Sequence, residues 1–263
     1  MNREPPDYYD TTYEAALRAG FDLVQLKYDG IYGRAVLSAS GTVVYSKNNK
    51  PKANLSTLFE PGGDIRGEYM FGSHWAQDES RKGKLYLFDI ASVGGEDLTS
   101  LPYVKRSVVL RSLLTEIAHP ELSQVETFPI SEYQRLWESE VSTGRFEGVV
   151  FRKSFATWDE PLGRQKSVVT RDFVCTGFYE GEGKHKGRLG GIVCSRATPG
   201  GLVEVCKVGG GFSDTEREEI WANRDGCMKV VAEVRGMKEF VSGALRHPIF
   251  VRWHPEKQVK DCV

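Results

Sequence analysis

The alternation of apolar and polar positions divides the chain into a strand-rich first part and a glycine-punctuated second part. YEAALR (residues 13–18) has the spacing of a short helix. In the FDLVQLKYDG that follows, Val24, Leu26 and Tyr28 alternate with Leu23, Gln25 and Lys27. That two-residue period predicts a strand and places Gln25 and Lys27 on one face. Further strands are predicted near Ala35 to Leu37, Thr42 to Ser46, Ile65 to Met70 and in KLYLFDI (84–90). Pro102 to Ala118 carries helical apolar spacing. Ser131, followed three residues later by Gln134, reads as a capping box opening a helix towards Val141, and FEGVVFRK (146–153) returns to a strand.

The texture changes near Arg171. Short strands are predicted at Phe173 to Tyr179, Gly191 to Arg196, Val203 to Lys207, Val230 to Arg235 and Ile249 to Trp253, with one helix at Ser213 to Asn223 opened by Ser213 and Glu216. Five short strands and one helix in about 90 residues suit a small Greek-key barrel of the OB type. The expectation is an α+β chain of two domains, residues 1–171 and 172–263, of which the second is the OB-fold β-barrel.

Composition narrows the picture mostly by exclusion. A chain of 263 residues with 40% hydrophobic content can bury a substantial core. It has no apolar run near the ~20 residues that span a bilayer, and MNREPPDYYD lacks the apolar centre of a secretory signal. A soluble cytoplasmic protein without a membrane partner is expected. The five cysteines form no C-x-x-C pair, so they read as reduced packing residues. A formal net charge of −1 gives no support for a nucleic-acid partner, but local basic clusters do occur, as SKNNKPK (46–52), RKGK (81–84) and KHKGR (184–188).

KYDG (27–30) matches the K-x-D-G signature of nucleotidyltransferases that attach a nucleotide to lysine. Three fixed letters also fit an ordinary strand ending in an Asp-Gly turn. Other pieces follow in order: YSKNN (45–49), RGEYMFG (66–72), YLFDI (86–90), EGVVFRK (147–153), RQK (164–166) and LRHPIFVRWHPEK (245–257). With them the sequence resembles the covalent nucleotidyltransferase superfamily of DNA ligases, RNA ligases and capping enzymes. It looks most like the compact ATP-dependent DNA ligases, particularly those of bacteriophages such as T7. The resemblance implies an adenylation domain followed by the OB fold.

Lys27 is then the nucleophile. An attacking amine must be unprotonated, whereas a free lysine titrates near ~10.4, so the site must favour the neutral form by burial or neighbouring cationic charge. The resemblance implies that Glu68 contacts ribose or metal, that Glu147 helps to hold the metal, and that Phe88 stacks on adenine. It also places Lys166 and Arg164 at the α-phosphate, with arginine replacing the first lysine of the usual pair. Gln25 shares the Lys27 face and offers an amide to the adenine edge. The arginine expected five residues after the nucleophile is Tyr32 here, and Arg34, on the same strand face, is assigned its nucleotide-binding role.

Lys47 stands where the family has an arginine, and is read as a DNA contact together with Lys184, Lys186 and Arg188. Arg252 and Lys257 are assigned to pyrophosphate, although the family's R-x-D-K ending is replaced by His254, Pro255, Glu256 and Lys257. The cofactors implied are ATP and Mg²⁺, for which Mn²⁺ can substitute. The expected partner is nicked duplex DNA, bound by a monomer, in the infected bacterial host if the chain is phage-encoded, in replication or repair. An RNA ligase, a capping guanylyltransferase using the same lysine chemistry, and a non-catalytic nucleic-acid-binding module are the alternatives.

Overall fold

The computed structural model describes residues 7–56, 59–70 and 79–262; Phe71 and Gly72, which end the RGEYMFG piece, lie outside them. The chain forms two compact units, residues 1–166 and 167–263. The anticipated boundary after residue 171 falls inside a strand that begins at Val169, so the division comes earlier.

In the first unit, β1 (Tyr8–Asp10), α1 (Tyr13–Arg18), β2 (Leu23–Lys27), β3 (Ile31–Ser38), β4 (Gly41–Tyr45), β5 (Pro51–Leu55) and β6 (Gly63–Tyr69) come first. β7 (Leu85–Val93), β8 (Glu96–Asp97), α2 (Tyr103–Ile117), β9 (Leu122–Gln124), β10 (Thr127–Pro129), α3 (Tyr133–Leu136), β11 (Gly148–Arg152) and β12 (Leu162–Lys166) complete it. One sheet has the order β1-β12-β11-β2-β10. The other runs β5-β4-β3-β6-β7-β8, with β9 beside β7.

In the second sheet burial alternates along β3 and β4, whereas Asp64 to Gly67 of β6 are buried in succession. Along β3, Gly33, Ala35 and Leu37 are buried and the residues between them are not. Its core is closed by α2, whose Leu110 and Leu113 are buried with Leu114 and Ile117 packed beside them, the i, i+3, i+4, i+7 stripe of a helix lying on a sheet. Each fully buried leucine contributes roughly 1.5–3 kcal/mol relative to exposure. β11 is different, since Gly148 to Arg152 are all buried, as in a strand covered on both faces.

Two expectations need correction here. The helix predicted from a Ser131/Gln134 capping box is a 3-10 turn at Ile130–Glu132, then α3, then a π-helical turn at Trp137–Val141, and no side-chain cap is made. Leu136 and Val141 are both buried, and their five-residue spacing overshoots an α turn but matches a π turn. The second unit is also not a closed barrel. Its strands β13 (Val169–Glu180), β14 (Leu189–Thr198), β15 (Gly201–Val208), β16 (Val231–Gly236) and β19 (Ile249–His254) form an open sheet, β15-β14-β13-β16-β19. A hairpin of β17 (Lys238–Glu239) and β18 (Leu245–Arg246) precedes β19.

Among the described residues, the edges of that open sheet approach only through a parallel bridge between Gly210 and Ile249. β15 ends at Val208; beyond it the Gly210 carbonyl accepts from the Phe250 N–H at 2.9 Å, and Gly211, at φ +95°, lies against the Phe250 backbone. α4 (Asp214–Ala222) does begin with the predicted Ser213/Glu216 capping box, and its buried Arg217 donates to the Leu189, Gly190 and Gly209 carbonyls.

Candidate active site

β2 lies between β10 and β11, and Gly148 of β11 is register partner to both Lys27 and Lys166. The two lysines therefore flank one glycine across three strands. A side chain at Gly148 would put Cβ 2.1 Å from the Gln165 carbonyl oxygen, so only glycine lets β12 come this close. Glu147, one residue earlier, donates its backbone N–H to the Lys27 carbonyl at 2.9 Å. Its carboxylate forms an ion pair with Lys27 Nζ through one oxygen and with Lys166 Nζ, at 2.6 Å, through the other. Burial opposes the Glu147 charge, but the two ammonium groups outweigh it and hold the carboxyl below its ordinary range.

The glycine of KYDG has a similar cause. A Cβ at Gly30 would fall 2.6 Å from the Tyr69 carbonyl oxygen. This close approach lets the Gly30 N–H donate to Glu68 Oε1 at 3.1 Å. Burial pushes the Glu68 carboxyl up to about 7, with Glu147 adding to the rise and the Lys27 charge and the Gly30 hydrogen bond only partly offsetting it.

Lys27, Tyr32, Glu68 and Phe88 line a cavity of about 230 Å³, together with Arg152, Arg164 and Tyr8. Arg152 stands over the Phe88 ring at 5.7 Å. Behind it lies a buried network that sequence reasoning did not single out. Asp89 accepts from Arg106 Nε at 2.8 Å, from Arg106 Nη2 at 3.0 Å and from Arg152 Nη1 at 3.0 Å. The signal was present, since Asp89 and Arg152 are charged residues inside the apolar strand pieces YLFDI and EGVVFRK. A cavity of about 420 Å³ is lined in part by Leu26, Tyr28 and Phe146; its Arg145 and Arg135 are ion-paired to Glu140 and Glu132.

Several assigned residues sit differently from expectation. Gln25 lines the smaller cavity, but its amide nitrogen donates to Tyr103 Oη and Thr127 Oγ1, both at 2.9 Å, and its oxygen accepts from Arg152 at 2.8 Å. Its hydrogen-bonding groups are therefore engaged by the protein. Arg34 is outside the cavity lining and forms a forked pair with Asp64, its Nη2 lying 2.8 Å from Oδ2. Tyr32, not Arg34, faces the cavity, because the lining stops one strand repeat short of residue 34. Arg164 lines the cavity and is held by Asp10 at 2.7 Å.

In the second unit, Arg252 pairs with Glu233 at 3.0 Å, and Lys257 pairs with Asp172. The buried His254 joins Glu233, at 2.8 Å, to Glu256. These two carboxylates hold the imidazole's titration above its usual range. Ligand atoms of Asp172, Glu233 and His254 lie within 4.8 Å of one another, a cation-sized spacing, but Lys257 and Arg252 already neutralise the two acids. Lys184 and Lys186 are exposed on the loop after β13, and Arg188 pairs with Glu218 at 2.9 Å. Lys47 is exposed in the turn between β4 and β5. Among the described residues, no helix is long and apolar enough to cross a membrane.

No family model matches the sequence. A DNA ligase of Staphylothermus marinus is 25% identical over 242 residues, covering 68% of this chain and 38% of its own length. The chain spans between 26% and 38% of the length of the first curated relatives it matches, all DNA ligases. A solved structure from a study of Lig E DNA ligases superposes with a TM-score of 0.68 at 19% identity, over 97% of this chain and 99% of the other. A mycobacterial DNA ligase D complexed with ATP superposes with a TM-score of 0.51 at 17% identity, over 99% of this chain and 97% of the other. The chain is thus similar in sequence to curated DNA ligases and shares the fold of solved DNA ligase structures.

Proposed function

We propose that the chain is an ATP-dependent DNA ligase that seals 5′-phosphate/3′-hydroxyl nicks in duplex DNA through a lysyl-AMP intermediate on Lys27. The observation that carries this reading is the Lys27–Glu147–Lys166 arrangement beside a cavity holding Phe88, Glu68 and Arg164. An aromatic face for the base, a nucleophilic amine and convergent cations for phosphate are what nucleotidyl transfer requires.

In the first step Lys27 Nζ attacks the α-phosphorus of ATP, a P–N bond forms, and pyrophosphate leaves. Attack requires the neutral amine, and Glu147, already in contact with Nζ, is the group placed to take its proton. Lys166 and Arg164 would stabilise charge on the phosphate oxygens. The adenylyl group then passes to the 5′-phosphate at a nick, and the 3′-hydroxyl attacks that phosphate and expels AMP. All three transfers place charge on the same phosphate oxygens, so one set of cations serves each.

The donor set suits Mg²⁺, which is usually bound through one or two carboxylates plus water and phosphate oxygens. Glu68 is a half-buried carboxyl whose charge its surroundings disfavour, and the negative charge of Glu147 acts on it, so a divalent cation would be held by these two. When bound, it would neutralise phosphate charge. Arg252 and Lys257 are proposed for pyrophosphate, and Lys47, Lys184, Lys186 and Arg188 for the DNA backbone. The first unit is read as the adenylation domain and the second as an OB-type domain acting on duplex DNA, in a monomer.

Incubating the full chain with ATP or GTP and Mg²⁺ and mapping the adduct by mass spectrometry tests the first step. An AMP adduct on Lys27, followed by sealing of nicked DNA in preference to nicked RNA, is expected. A GMP adduct would favour a capping activity, and the absence of any adduct would favour a non-catalytic binding module.

A further inference from the structure

The N-terminal DYYD segment contributes to none of the motifs, yet the structure brings it to the nucleotide cavity. β1 lies parallel to β12, pairing Tyr8 with Leu162, Tyr9 with Gly163 and Asp10 with Arg164. The pairing extends at both ends, through Leu162 N–H to the Asp7 carbonyl and Thr11 N–H to the Arg164 carbonyl, each at 2.9 Å. Gly163 makes room for it, since a Cβ there would fall 2.9 Å from Thr11 Cγ2. The same strand sends Asp10 to Arg164 and Tyr8 into the cavity lining, so one short segment touches the site twice.

The surroundings of the Tyr8 phenol define what it can bind. Arg152 and Lys27 act on it with positive charge and Glu68 and Asp89 with negative charge. Burial raises its titration, so the phenol stays protonated and remains a donor. Tyr8 makes no side-chain hydrogen bond to any described residue. A half-buried donor that faces the cavity and is engaged by no described side chain is open to a ligand acceptor. The mixed field favours a neutral acceptor over a phosphate oxygen, which Lys27, Lys166 and Arg164 are better placed to meet. Between a base at Phe88 and an α-phosphate at Lys27 lies the ribose, whose two hydroxyls are stronger and more accessible neutral acceptors than its ring oxygen.

We propose that Tyr8 is a nucleotide-contacting residue whose hydroxyl donates a hydrogen bond to a ribose hydroxyl of ATP. This rests on the adenylation reading above, and adds to it a contact and a determinant of sugar preference supplied by the N-terminal strand. A hydrogen bond of ordinary strength corresponds to roughly fivefold in binding.

The test compares the full-length wild-type chain with Tyr8→Phe, using ATP, 2′-deoxy-ATP and 3′-deoxy-ATP with Mg²⁺ and reading KM and maximal rate of lysyl-adenylate formation. Tyr8→Phe should raise KM for ATP about fivefold, with a smaller effect on maximal rate. One of the two deoxy-nucleotides should be weakened similarly in the wild type, and with that nucleotide the variant and the wild type should coincide, because the contact has already been removed. An unchanged KM for ATP, or an equal rise for all three nucleotides, overturns the ribose contact while leaving adenylation intact. Failure of the wild type to form any adduct overturns the adenylation reading and the Tyr8 role with it.

Discussion

Glu68 allows the cost of the site to be measured in the folded chain. Its carboxyl titrates at about 7 in place of the ordinary 4.5. At ~1.36 kcal/mol per pH unit, the ionised form is disfavoured by roughly 3 kcal/mol. The folded chain binds more protons here than the unfolded chain does between those two values. The associated stability is therefore fully present below pH 4.5 and is lost as the pH rises through about 7.

Glu68→Gln removes the charge and keeps a carbonyl oxygen that can accept from the Gly30 N–H. Urea unfolding in the presence of a chelator and without nucleotide should find the variant within about 1 kcal/mol of wild type at pH ~5 and more stable by about 2–3 kcal/mol at pH ~9. All other titrating groups are common to both proteins, so the difference reports Glu68 together with its coupling to Lys27, Glu147 and Lys166. Adenylation should fall sharply in the same variant, which is the trade of stability for function expected of a site residue. A variant no more stable than wild type at pH ~9 would refute the assignment of a charge-disfavoured carboxylate. A stabilised variant that still adenylates normally would refute its role in ATP or metal binding.

Lys27→Ala should abolish adduct formation with ATP while sealing of a pre-adenylated nick partly survives, since the final step needs no lysyl-AMP; a stable adduct in this variant would refute the nucleophile. Asp89→Asn leaves the buried Arg106 and Arg152 without their counter-charge and should cost about 3–5 kcal/mol in denaturant unfolding, as removal of one partner of a buried ion pair does. Replacing Lys184 and Lys186 together by alanine should reduce the slope of log affinity against log salt for nicked duplex by up to about 1.8, with adenylation nearly unchanged. Adding Arg188→Ala should change the slope less than either lysine, because Arg188 is already paired with Glu218.

How much of this was legible in the sequence depended on how local the cause was. The two-residue alternation in FDLVQLK marked β2 as a strand, although Val24 and Gln25 on its opposite faces are both buried, and the i, i+3, i+4, i+7 stripe of Leu110 to Ile117 marked the core face of α2. The Ser213/Glu216 cap was equally readable, since its bonds close within four residues. Glycine in KYDG and EGVV was visible as a letter, but its reason, the near contact of β6 and β12, was not. β1 and β12 were missed because DYYD and LGRQK lack an apolar period, and they become strands only by pairing with each other and with β11.

Site residues divided in the same way. The chain by itself determined the identity and order of the groups proposed for the chemistry, Lys27, Glu68, Phe88, Glu147 and Lys166, through its resemblance to the covalent nucleotidyltransferases. Only the tertiary structure decided which groups remain available to a ligand. Gln25 is held by Tyr103, Thr127 and Arg152, residues 78, 102 and 127 positions away, and Arg34 is captured by Asp64 from the neighbouring strand. Tyr8 reaches the cavity because its strand joins a sheet edge formed by residues 162–166. Hydrogen-bonding capacity is a property of a side chain, but whether it has already been satisfied depends on neighbours that sequence distance does not reveal.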